Sequence, residues 1–146
     1  MIRLATAAWV ALMAPALAHD HAIGVVKERM DMMEAMAKSM KAIGDKLKAR
    51  RNLAAVRKDA EAIRGHAPHL PHMFPSGSTQ PPTEAKPAIW QNFADFEARA
   101  KALEAAVAAL AVTDPRDADA LAAQVRVVAE ACSGCHDLYR EKRAKN

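Results

Sequence analysis

Two thiols and an imidazole stand within five residues near the C-terminus: Cys132, Ser133, Gly134, Cys135 and His136, holding the only two cysteines of a 146-residue chain. Covalent haem attachment requires this spacing, because both thiols must reach the vinyl groups of one porphyrin while the histidine meets iron. On a helix, Cys132 and Cys135 lie three apart and Cys132 and His136 four apart, so the three side chains share one side. The sequence therefore predicts one haem c, joined through Cys132 and Cys135, with His136 as the proximal iron ligand.

Other chemistries of the same five residues fit less well. A thioredoxin-like dithiol needs a βαβ context, and no alternation of strand and helix patterns is present. A structural zinc site takes four N or S ligands, and there is no second cysteine pair. A disulfide between Cys132 and Cys135 would close a very small loop and leave His136 without a role.

The elements that must position this group follow from the rest of the chain. At 146 residues, with 51% hydrophobic and 4% aromatic residues and 5 glycines, it suits one all-α domain of closely packed helices. Met1 to Ala18 reads as a cleavable signal peptide: Arg3, an apolar run from Leu4 to Leu12, then the small-residue site Ala16, Leu17, Ala18. The run is too short to span a bilayer securely, and no later stretch is long and uncharged enough. The mature chain is thus expected to begin near His19, in the periplasm, without a membrane span. An uncleaved anchor is the alternative. The formal charge of +4 falls by one when Arg3 leaves, too small a surplus for nucleic acid, and no basic and aromatic interleaving supports such a partner.

Apolar residues at Ile23, Val26, Met30, Met33, Ala37, Met40, Gly44 and Leu47 alternate by three and four and predict a first helix over about 22–48. A second, over 53–66, is capped by Asn52 and carries Leu53, Val56, Ala60 and Ile63. Six prolines and glycines from Pro68 to Pro82 make 67–86 a crossover. A third helix over 87–111 carries Ile89, Phe93, Phe96, Ala100, Leu103, Val107 and Leu110. The fourth, over 115–143, restarts at Thr113 or Asp114 with Pro115 and carries Leu121, Val125, Val128, Cys132, Cys135 and Tyr139. These elements predict an antiparallel four-helix bundle over 19–146, with the haem between helices near one end.

The group facing the iron from the other side decides the function. The first helix offers Met30, Met32, Met33, Met36 and Met40, most of them fit for core filling. A thioether is also a sixth ligand that raises the reduction potential and favours electron transfer. Periodicity does not separate Met30 from Met33. The first helix, the proline-rich crossover and the late CxxCH together resemble the class II c-type cytochromes, the four-helix-bundle family that includes cytochrome c prime. Val25 to Met33 (VVKERMDMM) and Glu84 to Phe93 (EAKPAIWQNF) resemble its low-spin, methionine-ligated branch in particular. The resemblance implies that Arg29 lies near the haem propionates and that Met33, four residues on, is the sixth ligand.

Trp90, Phe93 and Tyr139 are candidates to pack on the porphyrin. His66, His69 and His72 straddle the crossover and are expected in solvent, and His19 with His21 would make a copper-binding terminus. The leading expectation is a non-enzymatic electron carrier with His136 and Met33 as axial ligands. Lys46, Lys48, Arg50, Arg51, Arg140, Lys142 and Arg143 would steer acidic redox partners. The alternative is a five-coordinate, nitric oxide binding protein. A peroxidase would need a distal acid and base pair, which the sequence does not supply. Homodimers occur in the resembling family, so a second copy is also among the expected partners.

Overall fold

The computed structural model describes residues 22–142. The signal segment, His19, His21 and Arg143 lie outside them. The described chain is all-α: α1 (Gly24–Ala49), α2 (Val56–His66), α3 (Ala88–Gln91), α4 (Phe93–Val112) and α5 (Ala118–Tyr139). Four of these form a bundle in which α1 packs on α2, α2 on α4, α4 on α5, and α5 closes more sparsely on α1. Short connections at 50–55 and 113–117 reverse the chain, so neighbours run antiparallel.

Helix α1 is methionine-rich around its circumference, which blurs its periodicity. Its buried side is Val26, Arg29, Met32, Met36 and Ile43, a stripe rotated from the expected one; Ala37 and Gly44 are exposed. Methionines on several sides make the apolar arc too broad to place its centre by spacing. In α2, Val56, Ala60 and Ile63 are buried. In α4 the buried line is Phe96, Ala100, Leu103, Val107 and Leu110, with Ala106 and Ala111 beside it.

The helix ends differ from the expected ones for local reasons. Asn52 makes no side-chain cap and takes a left-handed φ of 56°. Asn92, at φ −132° and ψ 47°, divides the expected third helix into α3 and α4. The fourth begins at Ala118 because Asp117 caps it, its carboxylate accepting from the Ala120 N–H at 2.8 Å. Asp114 is engaged instead by Arg116, which holds its carboxyl down at about 2.

Ile43, Ile63, Ile89, Leu110, Leu121, Val56, Val107 and Val128 are fully enclosed. Each contributes about 1.5–3 kcal/mol of burial. Lys46 pairs with Asp59 at 2.7 Å and ties α1 to α2. The crossover is not featureless: it makes 3₁₀ turns at Ala67–His69 and Pro71–Met73 that lay Ala67, Leu70 and Phe74 into the core.

Helix α1 ends on Arg50 in the left-handed region at φ 48°, with the Arg51 N–H donating to the Lys46 carbonyl and that of Arg50 to Leu47. The Arg50 pair with Asp119, at 3.9 Å and largely exposed, adds little. Arg50→Gly removes the side-chain clash of that conformation and is expected to stabilise the protein by on the order of 1 kcal/mol. A urea midpoint equal to or below that of the wild type would contradict this account of the helix end.

Candidate functional site

The motif lies wholly inside α5, whose last turn closes with the Arg140 N–H donating to the His136 carbonyl at 3.0 Å. Cys132, Cys135 and His136 are all half-buried, and both thiols are free. Burial pushes both thiols up, Cys135 to about 11, so they stay protonated. Burial, with Arg140 nearby, pulls His136 down and keeps its imidazole neutral. Its ring makes no hydrogen bond to any described residue, which leaves both nitrogens open to a ligand role.

The core is divided where the cysteines stand. One hydrophobic cluster runs along the bundle through Met32, Met36, Ile63, Leu103 and Val128, and Cys132 packs against it. A second gathers Phe74, Ile89, Phe96 and Tyr139, and Cys135 packs against that. Among the described residues, two side chains touch both clusters, Met33 of α1 and Met73 of the crossover. Met30 is half-buried and packs against neither, so the two methionines that share a stripe differ in their packing.

Trp90 and Phe93 both pack on the second cluster, beside Cys135. Trp90 also donates through Nε1 to the carbonyls of Phe74 and Pro75, at 3.0 and 3.1 Å, and so fixes the crossover. Arg29 is 3% exposed. Its guanidinium donates to Ser78 Oγ at 2.9 Å, to the Ser78 carbonyl at 2.8 Å and to Thr83 Oγ1, and lies 4.9 Å from the centre of the Phe74 ring. No carboxylate among the described residues pairs with it. Burial pulls the guanidinium down from its ordinary value.

Sequence reasoning missed three supports of the motif. Tyr139 is buried, and its hydroxyl donates to Asp95 at 2.6 Å; Asp95 is also held by Arg99 at 2.7 Å, and Arg99 reaches the Gly134 carbonyl at 3.4 Å. The spacing of Asp95 and Arg99 was visible, but their reach to α5 was not. Ala85 and Arg140 form an antiparallel bridge, with Lys86 N donating to the Tyr139 carbonyl at 2.9 Å and Glu141 N to that of Glu84 at 2.7 Å. Met73 could have been flagged by Ala67, Leu70, Met73 and Phe74, which keep helical spacing inside the proline-rich stretch.

The basic groups named for partner steering fall into two sets at opposite ends of α5. Lys46 is engaged by Asp59, and Arg50 lies near Asp119 at the start of α5. That end stands about 25 Å along α5 from Cys135, so Lys48, Arg50 and Arg51 do not surround the motif. Arg140, 4.0 Å from Glu84, and exposed Lys142 do lie beside it. His69 and His72 are exposed and His66 half-buried; no group of three His, Cys, Asp or Glu among the described residues is placed to hold a metal ion. No described helix is long and apolar enough to cross a membrane.

With two free thiols packed on the two parts of a divided apolar core and a half-buried imidazole next to them in sequence, these residues fit a covalently held porphyrin. A family profile described as Cytochrome C' matches residues 24–140, all four bundle helices and the motif. The chain belongs to the cytochrome c′ family. As a member of that family it carries one covalent haem c through its cysteine pair. It is 34% identical over 125 residues to the cytochrome c-556 of Agrobacterium fabrum, covering 84% of this chain and 85% of that one. The solved cytochrome c′ of Rhodopseudomonas palustris superposes with a TM-score of 0.77 at 32% identity, covering 84% of this chain and 100% of the other. A nitric oxide complex of a mutant cytochrome c prime from Alcaligenes xylosoxidans does so at 0.73 and 25% identity, over 82% and 94%. These relatives support the cytochrome c′ family and give no support to its low-spin, methionine-ligated branch, which the resemblance had favoured.

The Asp95 carboxyl is held low first by its bond from Arg99 and then by that from Tyr139. A depressed carboxyl contributes stability that is present above its unfolded value and lost as pH falls through the folded one. In Asp95→Asn, urea midpoints are therefore expected to trail the wild type at pH 6 and to converge with it as pH drops below 3.8. A gap that stays constant down to pH 2 would show that the carboxylate charge is not what ties α4 to α5.

Proposed function

We propose that this protein is an exported, periplasmic haem c protein that binds a small neutral gas, nitric oxide first among candidates, on the iron face opposite His136. When bound, the haem supplies an iron atom able to take a diatomic ligand or to exchange one electron. Cys132 and Cys135 hold the group and His136 ligates it, with Trp90 and Phe93 against it. Arg29 offers a positive charge to its carboxylates.

The observation that carries this reading is the composition of the interior around the motif. Among the described residues the only buried polar or charged side chains are Arg29 and Ser78, and they are bonded to each other. Tyr139, within the second cluster, commits its hydroxyl to Asp95. Such an interior admits an uncharged diatomic and offers no buried acid and base pair for transferring protons to a bound ligand. The reading accordingly assigns no catalysed reaction. The likeness to a solved nitric oxide complex supports the same choice. Our reading puts gas binding ahead of electron transfer, the reverse of the order expected from the sequence.

One observation keeps the electron carrier as a second reading: Met33 touches both clusters, and its thioether is a competent sixth ligand. In that reading Arg140 and Lys142 meet an acidic redox partner, as a salt-dependent rate effect. A homodimer fits either reading, since one structural relative is described as a cytochrome c′ with ligand-controlled dimer dissociation.

The two are separated by absorption spectra of the purified holoprotein with and without nitric oxide. The proposal expects high-spin bands and a saturable shift of the Soret band on adding the gas to the ferrous form. Low-spin bands that ignore the gas, and that turn high-spin in Met33→Ala, would establish the electron carrier instead.

A further inference from the structure

We propose that Met73, paired with Met33, limits the access of gases to the haem iron. The inference rests on the gas-binding reading above. Its basis is position: among the described residues Met33 and Met73 are the two side chains that pack on both hydrophobic clusters, and one cluster touches Cys132 while the other touches Cys135. A group held by both cysteines would span the same two clusters that these two methionines bridge. They arrive from different elements, since Met73 sits on a 3₁₀ turn packed against both α1 and α4.

The backbone carrying Met73 is fixed. Its own N–H donates to the Leu70 carbonyl at 3.1 Å, and that of Phe74 donates to the Pro71 carbonyl at 3.2 Å. Trp90 Nε1 clamps the Phe74 and Pro75 carbonyls, and the Phe74 ring is buried beneath the Arg29 guanidinium. An opening of the crossover would break all of these together. A methionine side chain has three rotatable bonds and no branch, so it can swing while its backbone stays in place. Access is therefore controlled by the side chain rather than by a movement of the crossover.

The test is the rate of carbon monoxide association with the ferrous holoprotein after flash photolysis. Met73→Ala is expected to quicken it at least tenfold and Met73→Phe to slow it at least fivefold; either variant decides the matter if the other does not yield folded, haem-bearing protein. Met40→Ala, which removes the same atoms from a residue packed on one cluster only, is expected to stay within twofold of the wild type. A Met73→Ala rate within twofold of the wild type overturns the proposal. Failure of the underlying reading registers separately, as a wild-type protein that takes up no nitric oxide. In that case Met33→Ala is compared with the Met33→Ala, Met73→Ala double variant: a tenfold quickening retains the assignment of Met73, and a change under twofold removes it.

Discussion

The structure depends on a core split in two along the inner side of α5. Cys132 and Cys135 are separated by less than one helical turn, about 4.5 Å of rise, yet they pack against different hydrophobic clusters. A continuous core would need both to face one set of neighbours. Instead α5 packs closely on α4 and sparsely on α1, so the bundle is looser on the side where the thiols and imidazole must meet a large flat group. The seam is bridged by methionines, the side chains best able to adjust to an irregular gap without a fixed rotamer.

A loosened bundle must be held from elsewhere, and the holding is done by polar contacts between the helices and by others that tie them to the crossover. Arg29 grips Ser78 and Thr83, Trp90 grips Phe74 and Pro75, and the segment at Ala85 pairs with Arg140 just past the end of α5. Asp95, Arg99 and Tyr139 fasten α4 to α5 at the level of Gly134. Each such bond is worth about 1 kcal/mol net, so no single one is decisive. Together they define the walls of the site at the end where helix packing is weakest.

The motif, the bundle and the order of its helices were legible because each is written in local spacing. Two thiols and an imidazole at fixed offsets need no tertiary information, and the line from Phe96 to Leu110 states its own buried side. What could not be read was long-range or ambiguous. Five methionines around α1 leave the phase of that helix undetermined, so Arg29 and Met32 turned inward where Met30 and Ala37 were expected. Asn52 has the chemistry of a cap, but its left-handed backbone turns it to another use. The crossover read as a break because proline ends helices, yet two of its prolines open 3₁₀ turns, where their fixed φ is an advantage and the missing N–H costs nothing. Met73 was hidden by that reading.

Arg29 shows how these parts depend on one another. A buried cation with no carboxylate beside it is costly, and a lysine there would shed its proton, because burial disfavours the charged form and an amine titrates low enough to respond. A guanidinium keeps its charge even as burial pulls it down, and its planar fork can satisfy Ser78 twice and Thr83 once while stacking on Phe74. Neutral oxygens offset the desolvation only in part. The remaining imbalance favours an anion that the described chain does not itself provide, and a porphyrin bearing carboxylates is such an anion. On the proposed reading, the same residue that orders the crossover, and with it the backbone under Met73, would also offer its charge to the carboxylates of the bound group.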